Sequence, residues 1–176
     1  HTVKVNNYTK TVNCGKVGNI LTFNVFDSDG VDKTQNYSIV VEESFITVLK
    51  REISVTSGDG EWVYDGEDHG VLDFDITSDT KLADTDSAEA TDNTLITDVN
   101  TDKVENMLTL VIKNTKGEDV TSNYDITYTY GELKVTKRPV EIITDSETFV
   151  YNGDAQSSLG YTVSEDTPLV AGHVSS

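Results

Sequence analysis

An 87-residue step runs through this chain: Asn36-Tyr37 returns as Asn123-Tyr124, Lys50-Arg51 as Lys137-Arg138, and Val63-Tyr64-Asp65-Gly66 as Val150-Tyr151-Asn152-Gly153. Residues 12–82 align with residues 99–169 at that single offset without a gap. The chain therefore reads as a window on a tandem array of one unit. Arrays of this kind build length or multiply weak binding sites rather than house one active site.

Within each unit the apolar residues alternate with polar ones, as in Ile53-Ser-Val55, Leu72-Asp-Phe74-Asp-Ile76, Leu108-Thr-Leu110-Val-Ile112 and Tyr124-Asp-Ile126-Thr-Tyr128. That period of two predicts half-buried strands. Tyr130-Gly131-Glu132 is expected to close a tight hairpin between the strand ending at Tyr130 and Leu133-Lys-Val135, and residues 114–119 to form a longer turn. Residues 82–94, rich in Asp, Ala and Thr, show no periodicity, and only residues 104–108 suggest a short helical turn. One unit then holds six or seven short strands. The expected fold class is all-β, with tandem small antiparallel β-sandwich (Ig-like) modules; β-grasp-like modules are the alternative.

Pro139 follows Lys137-Arg138 at the start of a strand, as at an inter-domain junction, and Lys50-Arg51 marks the equivalent place. By that cut residues 51–137 are one complete repeat, residues 1–50 the C-terminal half of the repeat before it, and residues 138–176 the N-terminal half of the next. The alternative cut takes 1–87 and 88–176 as two modules. The lone Cys14 aligns with Thr101, so no disulfide framework holds the units. With 31 acidic and 13 basic residues the net charge is −18, which repels phosphate backbones and anionic lipid headgroups. That argues against a nucleic-acid partner. No apolar run approaches the roughly 18 residues that span a bilayer, so no membrane insertion is expected.

Three motifs carry a resemblance. Glu61-Trp-Val-Tyr-Asp-Gly66, the pattern Gly-x-Asp-x-Thr-x-Asn-Tyr-x-Ile (30–39 and 117–126) and Gly131-x-Leu-x-Val-Thr-Lys-Arg138 resemble the YDG/MBG-type tandem repeats of bacterial surface and adhesin proteins. Leu169-Val-Ala-Gly-His173 is similar to another segment of that repeat, and His1 to its last residue in a preceding copy. The resemblance implies an all-β, extracellular stalk or adhesin module at a bacterial, Gram-positive cell surface. It carries no catalytic residues. The middle copy departs from it at residues 82–86, and the first at Ser44-Phe-Ile46.

The candidate ligand-binding residues are Trp62, Tyr64 and Tyr151, aromatics able to stack on the apolar faces of host glycans or mucin; the competing reading makes them core residues. Asp27, Asp29 and Asp32 around Gly30 superficially resemble a calcium loop, but the aligned Asn114 and Lys116 lack the first two carboxylates. A solvated turn is the competing reading, and Asp73, Asp75, Asp79, Asp84 and Asp86 form a second acidic group that could hold calcium between modules. Calcium is thus the one cofactor these residues suggest, and none is required. His1, His69 and His173 do not recur at the 87-residue offset, and no phosphate loop or zinc motif is present, so the chain reads as non-enzymatic. Lys50/Lys137 and Asn36/Asn123 recur together. They suggest either a Lys–Asn isopeptide crosslink or a junction lysine and a turn asparagine. The expected function is a stalk or spacer whose partners are neighbouring repeats; the alternative is an adhesin gaining avidity by repetition.

Overall fold

The computed structural model describes residues 1–174. It is all-β, with fourteen short strands and two 3-10 turns among the described residues. In the first part of the chain lie β1 (Thr2–Tyr8), β2 (Gly15–Gly18), β3 (Leu21–Phe26) and β4 (Phe45–Val48). The central part holds β5 (Arg51–Ser57), β6 (Gly60–Val63), β7 (Phe74–Ile76), β8 (Asp86–Asn93), β9 (Val104–Glu105), β10 (Leu108–Asn114), β11 (Tyr124–Thr129) and β12 (Glu132–Thr136). The last part holds β13 (Ile142–Thr144) and β14 (Tyr161–Val163).

The strands make small sheets: β1 with β3, β2 with β4, β8 with β10, β13 with β14, and the three-stranded orders β11-β5-β7 and β6-β12-β9. The pairs β1–β3, β2–β4, β9–β12 and β13–β14 are antiparallel. One pair departs from the antiparallel expectation, since β6 runs parallel to β12 with Gly60 opposite Leu133 and Trp62 opposite Val135. By Cα proximity the chain divides into two compact units, residues 1–55 with 76–89 and 110–128, and residues 56–75 with 90–109 and the chain from 129 onward. Neither is a continuous stretch.

The alternating sequences form strands because one face of each is buried. In β5, Ile53 and Val55 are buried, and in β10 Leu108, Leu110 and Ile112, each alternating with a half-buried or exposed residue. Of the nine buried hydrophobic residues among those described, all but Val25 fall within residues 51–137. Burial of such side chains is the main stabilising term available to so acidic a chain, at roughly 1.5–3 kcal/mol each.

Three expectations are corrected. Residues 130–132 do not close a hairpin: β11 pairs with β5 and β12 with β6 and β9, so the chain turns a corner from one sheet into the other. Gly131 makes that corner, its α-carbon lying so close to β5 that an added Cβ would meet the Gly58 carbonyl oxygen at 2.4 Å. Residues 86–93, which have no apolar periodicity, form the eight-residue strand β8. Its inward positions are the small Ala88 and Ala90, so the period of two is present without bulky residues to announce it. Residues 104–105 are strand rather than helical turn.

Loops 87 residues apart adopt the same conformation. Gly30 and Gly117 both have φ of 79°, a left-handed value that favours glycine. Asp27 Oδ1 accepts the amides of Asp29 and Val31, as Asn114 Oδ1 accepts those of Lys116 and Glu118. Asp32 and Asp119 each accept the amide two residues on, from Thr34 and Thr121, whose hydroxyls accept the amides of Val25 and Ile112. The 3-10 turns Thr34–Asn36 and Thr121–Asn123 follow.

Candidate functional site

Of the calcium candidates Asp27, Asp29 and Asp32, the carboxylates of Asp27 and Asp32 are engaged by the loop itself. Asp27 accepts its two amides and lies 3.5 Å from Lys33 Nζ. Asp32 accepts the Thr34 amide and hydroxyl on one oxygen and Asn24 Nδ2 on the other. Asp29 contributes its amide to the turn. The Asn114 loop makes the same bonds without a charge at the first position, so the oxygen organises the turn whether or not it is ionised. No group of three or more His, Cys, Asp or Glu side chains converges on a metal position among the described residues.

These bonds set the acidity of the loop. The Val31 amide chiefly holds the Asp27 carboxyl below the usual carboxylate range, and the Thr34 and Thr121 hydroxyls do so for Asp32 and Asp119. A carboxyl more acidic in the folded chain than in the unfolded one adds stability above its unfolded pKa. That contribution is lost as pH falls through the depressed folded value. The amides of Val31 and Thr121 are therefore expected to shift only as pH falls below about 4, whereas the Lys116 amide, bonded to the non-titrating Asn114, stays put. NMR titration checks this. Val31 moving at the ordinary carboxylate pKa would refute the role given to Asp27.

Trp62 and Tyr64 alternate on one face of the β6 segment, both half-buried. Trp62 lies back over Gly60, where an added Cβ would meet the indole at 2.1 Å, and stacks on the His69 ring at 4.9 Å. His69 is fixed in turn by Asp65, with Nε2 2.8 Å from Oδ1. The Glu67 amide first, and His69 second, hold the Asp65 carboxyl below its usual range. One period on, Gln156 Nε2 donates to Asn152 Oδ1 at 2.7 Å. A non-titrating pair thus makes the same clasp, so the His69–Asp65 contact serves the turn at Gly66 and Gly153, whose φ values are 84° and 85°.

Tyr64 faces a concavity of about 260 Å³ whose walls include Val99, Arg138, Leu169 and His173. Its ring is tilted against His173 at 5.9 Å, and Arg138 Nε donates to the Pro168 carbonyl. Arg51 Nε donates to Lys81 in the same way, 87 residues earlier. Beside Arg51 opens a larger cleft of about 720 Å³, with Val12, Asp86 and Tyr124 in its walls. Tyr124 donates to Asp86 and accepts the Ala83 amide. Burial first, and the Asp86 bond second, raise its pKa. Asp86 is the position aligned with His173, so the two concavities occupy equivalent places in the repeat.

Tyr151 is 93% exposed and Phe149 exposed as well, so the aromatics aligned with Tyr64 and Trp62 lie open to solvent. Lys50 and Lys137 are exposed, and the Asn123 side chain accepts the Cys14 amide and donates to Asn13. That arrangement lacks the buried lysine, asparagine and acid an isopeptide crosslink requires. Asp73, Asp75, Asp79 and Asp84 are exposed.

One residue of consequence, Asn106, belongs to none of the sequence motifs. Asn106 is fully buried, and its Nδ2 donates to the carbonyls of Gly58 and Val71. The Asn106 main-chain carbonyl accepts the Ser57 hydroxyl, which accepts the Gly131 amide. The signal was present, since Asn19 stands 87 residues before it. No helix among the described residues is long and apolar enough to cross a membrane. Comparison with family models, with curated proteins and with solved structures finds no match to this chain.

Proposed function

We propose that this chain is a non-enzymatic, extracellular array of small β-sandwich modules that acts as a stalk or spacer in a bacterial cell-surface protein. The observation that carries the reading is the recurrence, at 87 residues, of whole sets of bonds rather than of letters alone. Two features fit a spacer. Only Leu49 and Lys50 separate β4 from β5, which leaves little slack between units. The positions bordering that joint carry specific side-chain bonds, among them Cys14 to Asn123 and Arg51 to Lys81. The net charge of −18 keeps neighbouring arrays apart and in solution.

The test is length. Arrays extended by whole 87-residue units should grow in maximum dimension by a constant step per unit in small-angle X-ray scattering. Growth closer to the square root of the number of units would mark a flexible tether and defeat the spacer.

The second reading, a weak multivalent adhesin, draws on the exposed Tyr151. Under the spacer reading, neither monomer nor artificial multimer binds immobilised mucin or a glycan panel. Saturable binding that strengthens on multimerisation and disappears in Tyr151→Ala or Trp62→Ala would make the chain an adhesin module instead.

A further inference from the structure

Of the twelve asparagines in the chain, only Asn152 precedes a glycine. Every other one is followed by a residue whose Cβ crowds the intervening amide. Asn152 and Gly153 are both exposed. In the central copy β6 is paired and the aligned Gly66 is exposed all the same, so this openness belongs to the turn.

The turn holds the Asn152 carboxamide by its oxygen. Oδ1 accepts the Asp154 amide at 3.0 Å and Gln156 Nε2 at 2.7 Å. Among the described residues neither Asn152 Nδ2 nor the Gly153 amide donates a hydrogen bond, so the leaving group and the nucleophile of an intramolecular reaction are both untied. Attack of the Gly153 nitrogen on Asn152 Cγ closes a five-membered ring, the geometry in which proximity favours reaction most. Negative charge then develops on Oδ1, where two donors already point, and they stabilise it as an oxyanion hole does.

We propose that Asn152 is a self-modification site, converting to aspartate through a succinimide with its own turn supplying the oxyanion donors. The Gly153 amide gives its proton to solvent as its nitrogen bonds to Cγ. The bond from Cγ to Nδ2 breaks, and Nδ2 takes a proton from water and leaves as ammonia. A water molecule then adds to one of the two ring carbonyls and opens it. Cleavage of the bond from nitrogen to Cγ gives aspartate, and cleavage of the bond from nitrogen to the main-chain carbon gives the isoaspartyl linkage. Nothing is oxidised or reduced.

The central copy shows that the turn accepts the aspartyl product. Asp65 stands at the aligned position, and its Oδ1 takes the Glu67 amide and His69 Nε2 as Asn152 Oδ1 takes the Asp154 amide and Gln156. Aspartate at position 152 keeps that acceptor and, ionised at neutral pH, moves the formal net charge from −18 to −19. The isoaspartyl product routes the main chain through the side chain and loses the acceptor.

The test is independent of the spacer reading. The intact chain is incubated in mildly alkaline buffer, digested at intervals and weighed peptide by peptide. The peptide holding Asn152 should gain the mass difference between OH and NH2 ahead of every other asparagine. Isomerisation at Asp29-Gly30, Asp59-Gly60 or Asp65-Gly66 changes no mass and does not interfere. Gly153→Ala, whose added Cβ meets nothing within 4 Å, should slow the gain roughly ten-fold, about 1.4 kcal/mol in the barrier. Gln156→Ala should slow it in the folded chain and leave it unchanged in urea, where no turn is present to lose. Asn152→Asp should unfold at the urea midpoint of the parent. An unchanged peptide, or another asparagine converting first, would overturn the proposal. So would a folded Gln156→Ala chain that converts as fast as the parent or faster, or a lowered midpoint for Asn152→Asp.

Discussion

Replacing Gly131 by Ala is expected to destabilise the chain by about 3 kcal/mol or more, a large part of the roughly 5–15 kcal/mol that holds a domain folded. The cause is steric. The methyl would lie 2.4 Å from the Gly58 oxygen, 2.7 Å from its carbon and 2.7 Å from the Ser57 oxygen, all main-chain atoms that cannot rotate away. Relief requires the corner between β11 and β12 to withdraw from β5. That strains the bond from the Gly131 amide to Ser57 Oγ and the bond from the Asn106 amide to the Gly131 carbonyl. Lost or stretched hydrogen bonds add about 1 kcal/mol each. Gly117→Ala is the control, because its added Cβ meets nothing within 4 Å and its left-handed φ of 79° alone should cost about 1–2 kcal/mol. Urea unfolding of both variants beside the unsubstituted chain reads the difference. Equal losses in the two would show that the corner is loosely packed and that glycine is needed there for no steric reason.

Much of this fold was legible where bulky residues carry the alternation. Ile53 and Val55, Leu108 to Ile112, and Tyr124 to Tyr128 announced β5, β10 and β11, because a period of two in large apolar side chains has no other efficient burial. Strand β8 was silent because Ala88 and Ala90 do the inward packing, and alanine's small surface gives a weak periodic signal. The parallel pairing of β6 with β12 was silent for another reason. Sixty-eight residues separate Val63 from Glu132, and local pattern says nothing of which strands meet across such a distance.

The candidate sites divide in the same way. The Asp27 loop was recognisable as a turn, and the aligned Asn114 had already pointed away from a dedicated ion site; the shared backbone bonds explain why the carboxylate could be lost. The aromatic residues could be located but not assigned. Trp62 owes its half-burial to Gly60 beneath it and His69 above, and Tyr64 to His173, a residue far along the chain. Tyr151 is 93% exposed and residues 147–150, the counterpart of β6, form no strand, a tertiary circumstance with no trace in their immediate sequence.

The second large effect is expected at Asn106. Asn106→Ala would remove a donor from each of the part-buried carbonyls of Gly58 and Val71, at about 1–3 kcal/mol each, and open a cavity besides. Some of this is recovered, because the wild-type side chain holds a buried Oδ1 with no partner among the described residues, and alanine removes that burden. A net loss of about 3 kcal/mol remains. Asn106→Asp separates hydrogen bonding from volume. The aspartate is nearly the same size, but it exchanges two donated bonds for a carboxylate facing two carbonyl oxygens, so it should cost more than alanine at neutral pH. Its folded-state pKa would be raised, since burial and the carbonyl dipoles favour the protonated acid. A raised pKa contributes stability at low pH that is lost as pH rises through the folded value, so the deficit of Asn106→Asp relative to wild type should shrink on acidification while that of Asn106→Ala does not. Urea midpoints for the three chains at neutral pH and near pH 5 would show this. A constant Asp deficit would mean that position 106 is open to water, and that the bonds from Nδ2 to Gly58 and Val71 contribute little to holding β9, β5 and the corner at Gly131 together.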